Sequence, residues 1–149
     1  MGALVLDASA VAGAVFKDED PAFAAAALRM AAKQGAQVPS LFWYEVRNLL
    51  LIGERRGRLL AASPEDTMTM LRLGGLGQAH DLDDAAILAV GRTHDLSGYD
   101  AAYAALAIRE NAPLATLGKK LIAAGEAGAF TLWQPLDPSS ADDSAPGDG

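Results

Sequence analysis

Leu4-Val5-Leu6-Asp7-Ala8-Ser9, residues 4–9, reads as a short buried strand that ends in a carboxylate. Three apolar residues with β-branched Val5 among them suit a strand covered on both faces. Asp7 then stands at the C-terminal edge of that strand, where open α/β sheets place their ligands. Ser9 is placed to cap a following helix over Ala10–Phe16.

Outward from this strand, helical and strand patterns alternate. Lys17 to Pro21 is a polar loop into an alanine-rich helix over 22–33, and Gln37-Val38-Pro39 is a second strand. Ser40 caps a long helix over 41–56, in which Phe42, Val46, Leu49 and Ile52 form one apolar stripe. Gly53 and Gly57 loosen its end. Ser63-Pro64-Glu65-Asp66 combines a cap, a first-turn proline and two first-turn acids, and so starts a helix that runs to about Leu73. Gly74 to Gly77 stops it, and residues 78–82 read as a short strand. Asp83 caps a helix to Thr93, and Ser97-Gly98-Tyr99-Asp100 opens another to Asn111. A strand over 113–117, a short helix over 118–127 and a last strand over 129–133 complete the pattern. This alternation predicts an α/β fold with a mainly parallel sheet covered on both faces. Pro135 onward is rich in proline, serine, glycine and aspartate, which predicts one folded domain over 1–134 and an unstructured acidic tail over 135–149.

Composition narrows the chemistry. With 149 residues the chain suits one domain with a full core, and with no cysteine it has no disulfide or thiolate metal site. No apolar stretch approaches the roughly 20 residues of a membrane span. The first fifteen residues lack a basic signal-peptide region, so a cytoplasmic protein is expected. The net charge is −7, but four of the acids (Asp137, Asp142, Asp143, Asp148) fall in the tail. The body is only mildly acidic, which argues against indiscriminate nucleic-acid binding and leaves room for a local basic patch.

Three acids are candidates for chemistry. Asp7 sits at the strand end, although the amides of the next helix are an alternative partner for it. Glu45 falls on the apolar face of the long helix, where an acid needs a cation, a donor or a proton. Arg56, about 16 Å further along the axis, is a poor direct partner. A buried salt bridge or a partly exposed edge is the other reading of Glu45. Asp100 has the spacing of a capping box with Ser97. The small residues Ala101, Ala104 and Ala107 would nonetheless bring its helix N-terminus close to the strand ends. Three carboxylates without thiol or imidazole ligands suit a hard cation, Mg²⁺ or Mn²⁺, of the kind that activates water at a phosphodiester. His80 and His94 read as structural, on a strand and at a helix end. No glycine-rich phosphate loop follows the first strand, and no Ser-His-Asp set can be assembled.

The ordered set Leu4-Val5-Leu6-Asp7-Ala8-Ser9-Ala10, Glu45-Val46 and Tyr99-Asp100-Ala101-Ala102-Tyr103-Ala104-Ala105-Leu106-Ala107 resembles a PIN domain. More narrowly, it resembles the VapC toxins of bacterial and archaeal toxin–antitoxin pairs, over residues 3–134. The resemblance implies a three-layer α/β/α fold with about five strands. It also implies a Mg²⁺- or Mn²⁺-dependent endoribonuclease, a homodimer and neutralisation by a VapB-type antitoxin. Asp7, Glu45 and Asp100 match the first three acidic positions, which bind metal and carry catalysis in the family. Ser9 matches the small hydroxyl position and Thr116 the threonine of a Thr-x-Asp segment. Here that segment reads Thr116-Leu117-Gly118, with Gly118 at the fourth acidic position, so reduced or absent activity is expected. RNA phosphates are expected to meet Arg47, Arg55, Arg56, Arg58 and Lys119, while Phe42-Trp43-Tyr44 reads as core or interface. The rival is a PIN-fold binding module that keeps its dimer and antitoxin contacts without chemistry. A haloacid-dehalogenase-type phosphohydrolase would need an aspartate where Ser9 stands.

Overall fold

A computed structural model describes residues 3–136; the expected acidic tail lies, from residue 137 onward, outside the described residues. β1 (Leu4–Leu6) is fully buried and interior to a four-stranded parallel sheet of order β3-β2-β1-β4. β2 (Ala36–Val38) and β4 (Leu114–Ala115) flank it, with Leu4 paired to Ala36 and Val5 to Leu114. β3 (Leu76–Gln78) forms the outer edge against β2.

The connections set the layers. α2 (Ala22–Gln34) leads from β1 to β2, and α3 (Ser40–Arg55) with α4 (Pro64–Arg72) leads on to β3 in the same direction. α5 (Asp84–His94) and α6 (Gly98–Glu110) then carry the chain back across the sheet to β4. Parallel crossovers are right-handed, so this reversal puts α5 and α6 on the opposite face from α2, α3 and α4. The result is the expected three-layer α/β arrangement. α7 (Lys119–Glu126) follows β4 and packs on α6.

Several local expectations shift. Residues 8–15 form a 3-10 turn (Ala8–Val11) and then a single turn of helix, α1 (Ala12–Val15), instead of one helix capped by Ser9. Ser9 lies inside the 3-10 turn, and its hydroxyl is taken by Asp7. β3 begins two residues before the expected strand. Gly75, at φ +84°, turns the chain so close to α2 that a Cβ there would lie 2.5 Å from the Ala31 carbonyl oxygen. The strand starts directly after that turn, and His80 falls in an exposed loop instead of on a strand. The expected last strand over 129–133 is reduced to one parallel bridge between Leu114 and Leu132.

On α3 the buried stripe is Phe42, Trp43, Val46, Leu50 and Gly53, rotated from the expected one. Leu49 and Ile52 are only half-buried. Gly53 does not loosen the helix. It admits Phe16 and Leu59, whose side-chain carbons would lie 2.6 and 2.5 Å from a Cβ. Ser63 and Ser97 cap α4 and α6, accepting the amides of Asp66 and Asp100 at 3.1 Å in both cases. Ala101, Ala104 and Ala107 are buried, and Gly91 of α5 approaches Ala101, so the two helices pack closely along one another.

Candidate active site

β1 and β4 end side by side where the strand order reverses, and this is where a parallel sheet opens a crevice. Asp7 follows β1 and is only 6% exposed. Its Oδ2 accepts from Ser9 Oγ at 2.5 Å and from Thr116 Oγ1, just after β4, at 2.7 Å. These two hydroxyls, and not the amides of the next helix, satisfy the acid. They are tied down in turn. Leu117 N–H donates to Ser9 Oγ at 2.9 Å, and Gly118 N–H donates to Thr116 Oγ1 at 3.0 Å. Oδ2 is thereby fixed, and Oδ1 accepts no hydrogen bond among the described residues.

Glu45 projects from α3 on a half-buried part of the helix surface. Tyr103, fully buried on α6, donates its hydroxyl to Glu45 Oε1 at 2.6 Å. Burial pushes the Glu45 carboxyl above its ordinary value. The Tyr103 hydrogen bond pulls it back, and the charges of Asp7 and Asp100 add to the rise. Burial and then its bond to Glu45 hold the Tyr103 phenol far above the ordinary tyrosine range, so it remains a donor. Asp100 lies in the first turn of α6. Its amide donates to Ser97, but its carboxylate does not close a capping box. Burial and the Asp7 charge raise the Asp100 carboxyl, while Lys120 acts against them.

Asp7, Ser9, Glu45, Asp100 and Gly118 line one cleft of about 270 Å³ together with Asn48 and Leu49. Among the described residues, no three acidic or histidine side chains form a ready-made cage for an ion. The donor chemistry nevertheless fits Mg²⁺ or Mn²⁺, which take one or two protein carboxylates and complete their shell with water and substrate oxygens. Asp7 Oδ1, Glu45 Oε2 and the Asp100 carboxylate accept no side-chain hydrogen bond among the described residues. Burial is the larger cause of the raised Glu45 and Asp100 carboxyls, and the neighbouring acid charges that add to it are what a cation would relieve.

Gly118 occupies the N-cap position of α7 with no side chain to cap it. Its φ of −70° and ψ of 125° are open to any residue. A Cβ there would lie 3.8 Å from Asp7 Oδ2 and 3.3 Å from Thr116 Oγ1. An aspartate would therefore reach the cleft, and glycine leaves that side of it without a charge.

The basic residues are not gathered at the cleft. Arg47 is two positions from Glu45, on the far side of the helix. It bonds the Trp43 carbonyl at 3.0 Å and stacks on Tyr44, against α4. Arg58 pairs with Asp18 at 2.9 Å and covers the Phe16 ring. Arg55 and Arg56 are exposed at the end of α3, and Lys119 is exposed beside Gly118. Lys120 reaches Asp95 at 3.4 Å. Phe42 and Trp43 are buried, whereas Tyr44 is exposed.

Two residues of the site were missed from sequence, and both carried a signal. Asn48 is three positions after Glu45, hence on the same helix face. Tyr103 is three positions after Asp100, and a buried tyrosine hydroxyl asks for an acceptor.

A family model for the PIN domain matches residues 4–127. Among solved structures, PAE2754 from Pyrobaculum aerophilum is similar with a TM-score of 0.61 and 24% identity, over 81% of this chain and 84% of its own. FitAcB from Neisseria gonorrhoeae is similar with a TM-score of 0.59 and 16% identity, over 89% of this chain and 97% of its own. At these identities the likeness speaks for the fold. No curated protein sequence matches the chain. The family model spans all four strands and every residue that lines the cleft, and the chain belongs to the PIN domain family, whose members are generally metal-dependent nucleases.

Proposed function

We propose that this PIN domain is a VapC-type toxin of a type II toxin–antitoxin pair, a Mg²⁺- or Mn²⁺-dependent endoribonuclease whose activity is weakened by Gly118. The observation that carries this reading is the meeting of Asp7, Glu45 and Asp100 in one cleft at the C-terminal edge of the sheet. When bound, the cation supplies charge neutralisation and a more acidic water at an RNA phosphodiester. Asp7, pinned through Oδ2, and Asp100 are the carboxylates that would hold it. Glu45, held by Tyr103 through Oε1, completes the acidic wall and keeps its remaining oxygen for the cation or its waters. The Asn48 amide offers a neutral donor to a phosphate oxygen in the same cleft. Arg55, Arg56 and Lys119 are the exposed cations left to meet the RNA backbone further out. A VapB-type antitoxin and a second copy of the chain are the expected protein partners.

The test is a paired measurement on the full chain: Mn²⁺ binding by calorimetry, and cleavage of RNA with Mg²⁺, Mn²⁺ or EDTA. Slow, metal-dependent cleavage that Asp7→Asn abolishes supports the reading. Absence of Mn²⁺ binding at millimolar concentration, or cleavage undiminished in EDTA, overturns it. Gly118 favours a second reading, a PIN-fold module that binds its partners without chemistry. Metal binding without any cleavage would decide for that reading.

A further inference from the structure

Core packing accounts for the ring of Tyr103 but not for its oxygen. The side chain is 0% exposed, and a phenylalanine would fill the same space without bringing a hydroxyl into the interior. Burying a hydroxyl is unfavourable unless it is bonded, and the side-chain acceptor that this one reaches is Glu45 Oε1, at 2.6 Å across 58 positions of chain. The hydroxyl joins two walls of the cleft, since Tyr103 belongs to α6, which carries Asp100 in its first turn, and Glu45 belongs to α3. Glu45 accepts no other side-chain hydrogen bond among the described residues, and Oε2 is left without a donor.

We propose that Tyr103 is a positioning residue for Glu45. Its hydroxyl occupies Oε1, fixes the carboxylate plane and leaves Oε2 as the one oxygen that Glu45 presents to a cation or its waters. The inference rests on the metal-site reading above and adds the element that sets the geometry of one wall. Residues that orient the groups around a metal commonly change its affinity by about 10- to 100-fold when removed. Here the cleft is open and Glu45 is one of three acids, so the low end, about 10-fold, is expected.

The experiment measures Mn²⁺ affinity by calorimetry at one fixed pH for the full chain, Tyr103→Phe, Glu45→Gln and the double variant, with thermal unfolding in EDTA beside it. Tyr103→Phe should bind Mn²⁺ about 10-fold more weakly. In the Glu45→Gln background the same change should have almost no further effect, because the carboxylate it positions is gone. Wild-type affinity in Tyr103→Phe, or an equal loss in both backgrounds, overturns the proposal. If Tyr103→Phe unfolds, a crystal structure of the Mn²⁺-loaded wild-type chain decides. Glu45 Oε1 still on the Tyr103 hydroxyl upholds the role, and Glu45 swung away from it or chelating through both oxygens removes it. A wild-type chain that binds no Mn²⁺ removes the metal-site reading and this role together. A wild-type chain that binds it while Tyr103→Phe matches it removes the role alone.

Discussion

Thr116 Oγ1 donates to Asp7 Oδ2 at 2.7 Å, joining residues 109 positions apart in the chain. The same hydroxyl oxygen accepts the Gly118 amide at 3.0 Å, so one threonine both binds the central acid and shapes the turn into α7. Thr116→Val keeps the branched shape and removes both contacts. It leaves a mostly buried carboxylate one donor short and an amide without its acceptor. A loss of about 1–3 kcal/mol in unfolding free energy is expected, read by urea denaturation. A change of only a few tenths of a kcal/mol would show that water replaces the hydroxyl without cost.

Gly118→Asp places a carboxylate at a backbone position that tolerates it. The N-cap of α7 gains an acceptor for its first amides, worth only a few tenths of a kcal/mol over glycine. The larger effect is expected in catalysis. An added acid beside Asp7 should raise Mn²⁺-dependent RNA cleavage by roughly 10-fold or more, on the scale of effects seen around metal sites. The opposing term is repulsion among four acids in the metal-free chain, so the melting temperature in EDTA should not rise. An unchanged cleavage rate would show that the glycine is not what limits activity.

The Asp100 carboxyl is raised by burial and by Asp7, and this has a stability consequence of definite sign. A carboxyl whose folded value lies above its unfolded one holds its proton more tightly when folded. Its contribution to stability is therefore greatest below the ordinary carboxylate range and falls as pH rises through the raised value. Asp100→Asn removes the penalty. In EDTA at neutral pH the variant should melt roughly 1–3 °C higher than the wild type, a small gain because the group is partly exposed and screened. Near pH 3 the difference should vanish. A lower melting temperature at neutral pH would mean that the attraction to Lys120 outweighs burial.

Gly53→Ala tests the packing under α3. A Cβ at this position meets Leu59 Cδ2 at 2.5 Å and Phe16 Cε1 at 2.6 Å. Both are side chains of partly or fully buried residues, so the helix or its neighbours must move. Overpacking of this kind costs about 1–3 kcal/mol, to be read from the denaturation midpoint at constant slope. A neutral effect would show that Leu59 rotates freely out of the way.

The sequence made the framework legible because strand and helix periods alternate cleanly, and because Ser63 and Ser97 cap helices by local chemistry that depends on few distant residues. Positions fixed by long-range approach were harder to read. Gly53 and Gly75 look like helix weakeners or stops in isolation. Their real partners are Phe16, Leu59 and Ala31, which the fold alone brings near. Ser9 has the right type and spacing for a cap, yet its hydroxyl goes to Asp7. Asp7 and Glu45 were legible as candidates because an acid at a strand end or on an apolar face is costly without a purpose. Asp100 has the spacing of a capping box, and it stood out only through the small residues of its helix and the family resemblance. Tyr103 signalled only that a buried hydroxyl needs an acceptor, and the fold alone shows that the acceptor is Glu45, 58 positions away. The stacked Arg47 was misplaced for a related reason: a cation near Glu45 in sequence can still lie across the helix from it.

The pairing of β1 with β4 also imposes an order on synthesis. Val5 and Leu6 find Leu114 and Ala115 only after most of the chain has left the ribosome. Until then Asp7 lacks Thr116, and the cleft lacks the wall that Gly118 and Asp100 help to form. A nascent chain therefore holds its acids before it holds the cleft that gathers them. Competence at this site arrives with the last strand, and a truncated product that stops before it carries the acids but not the site.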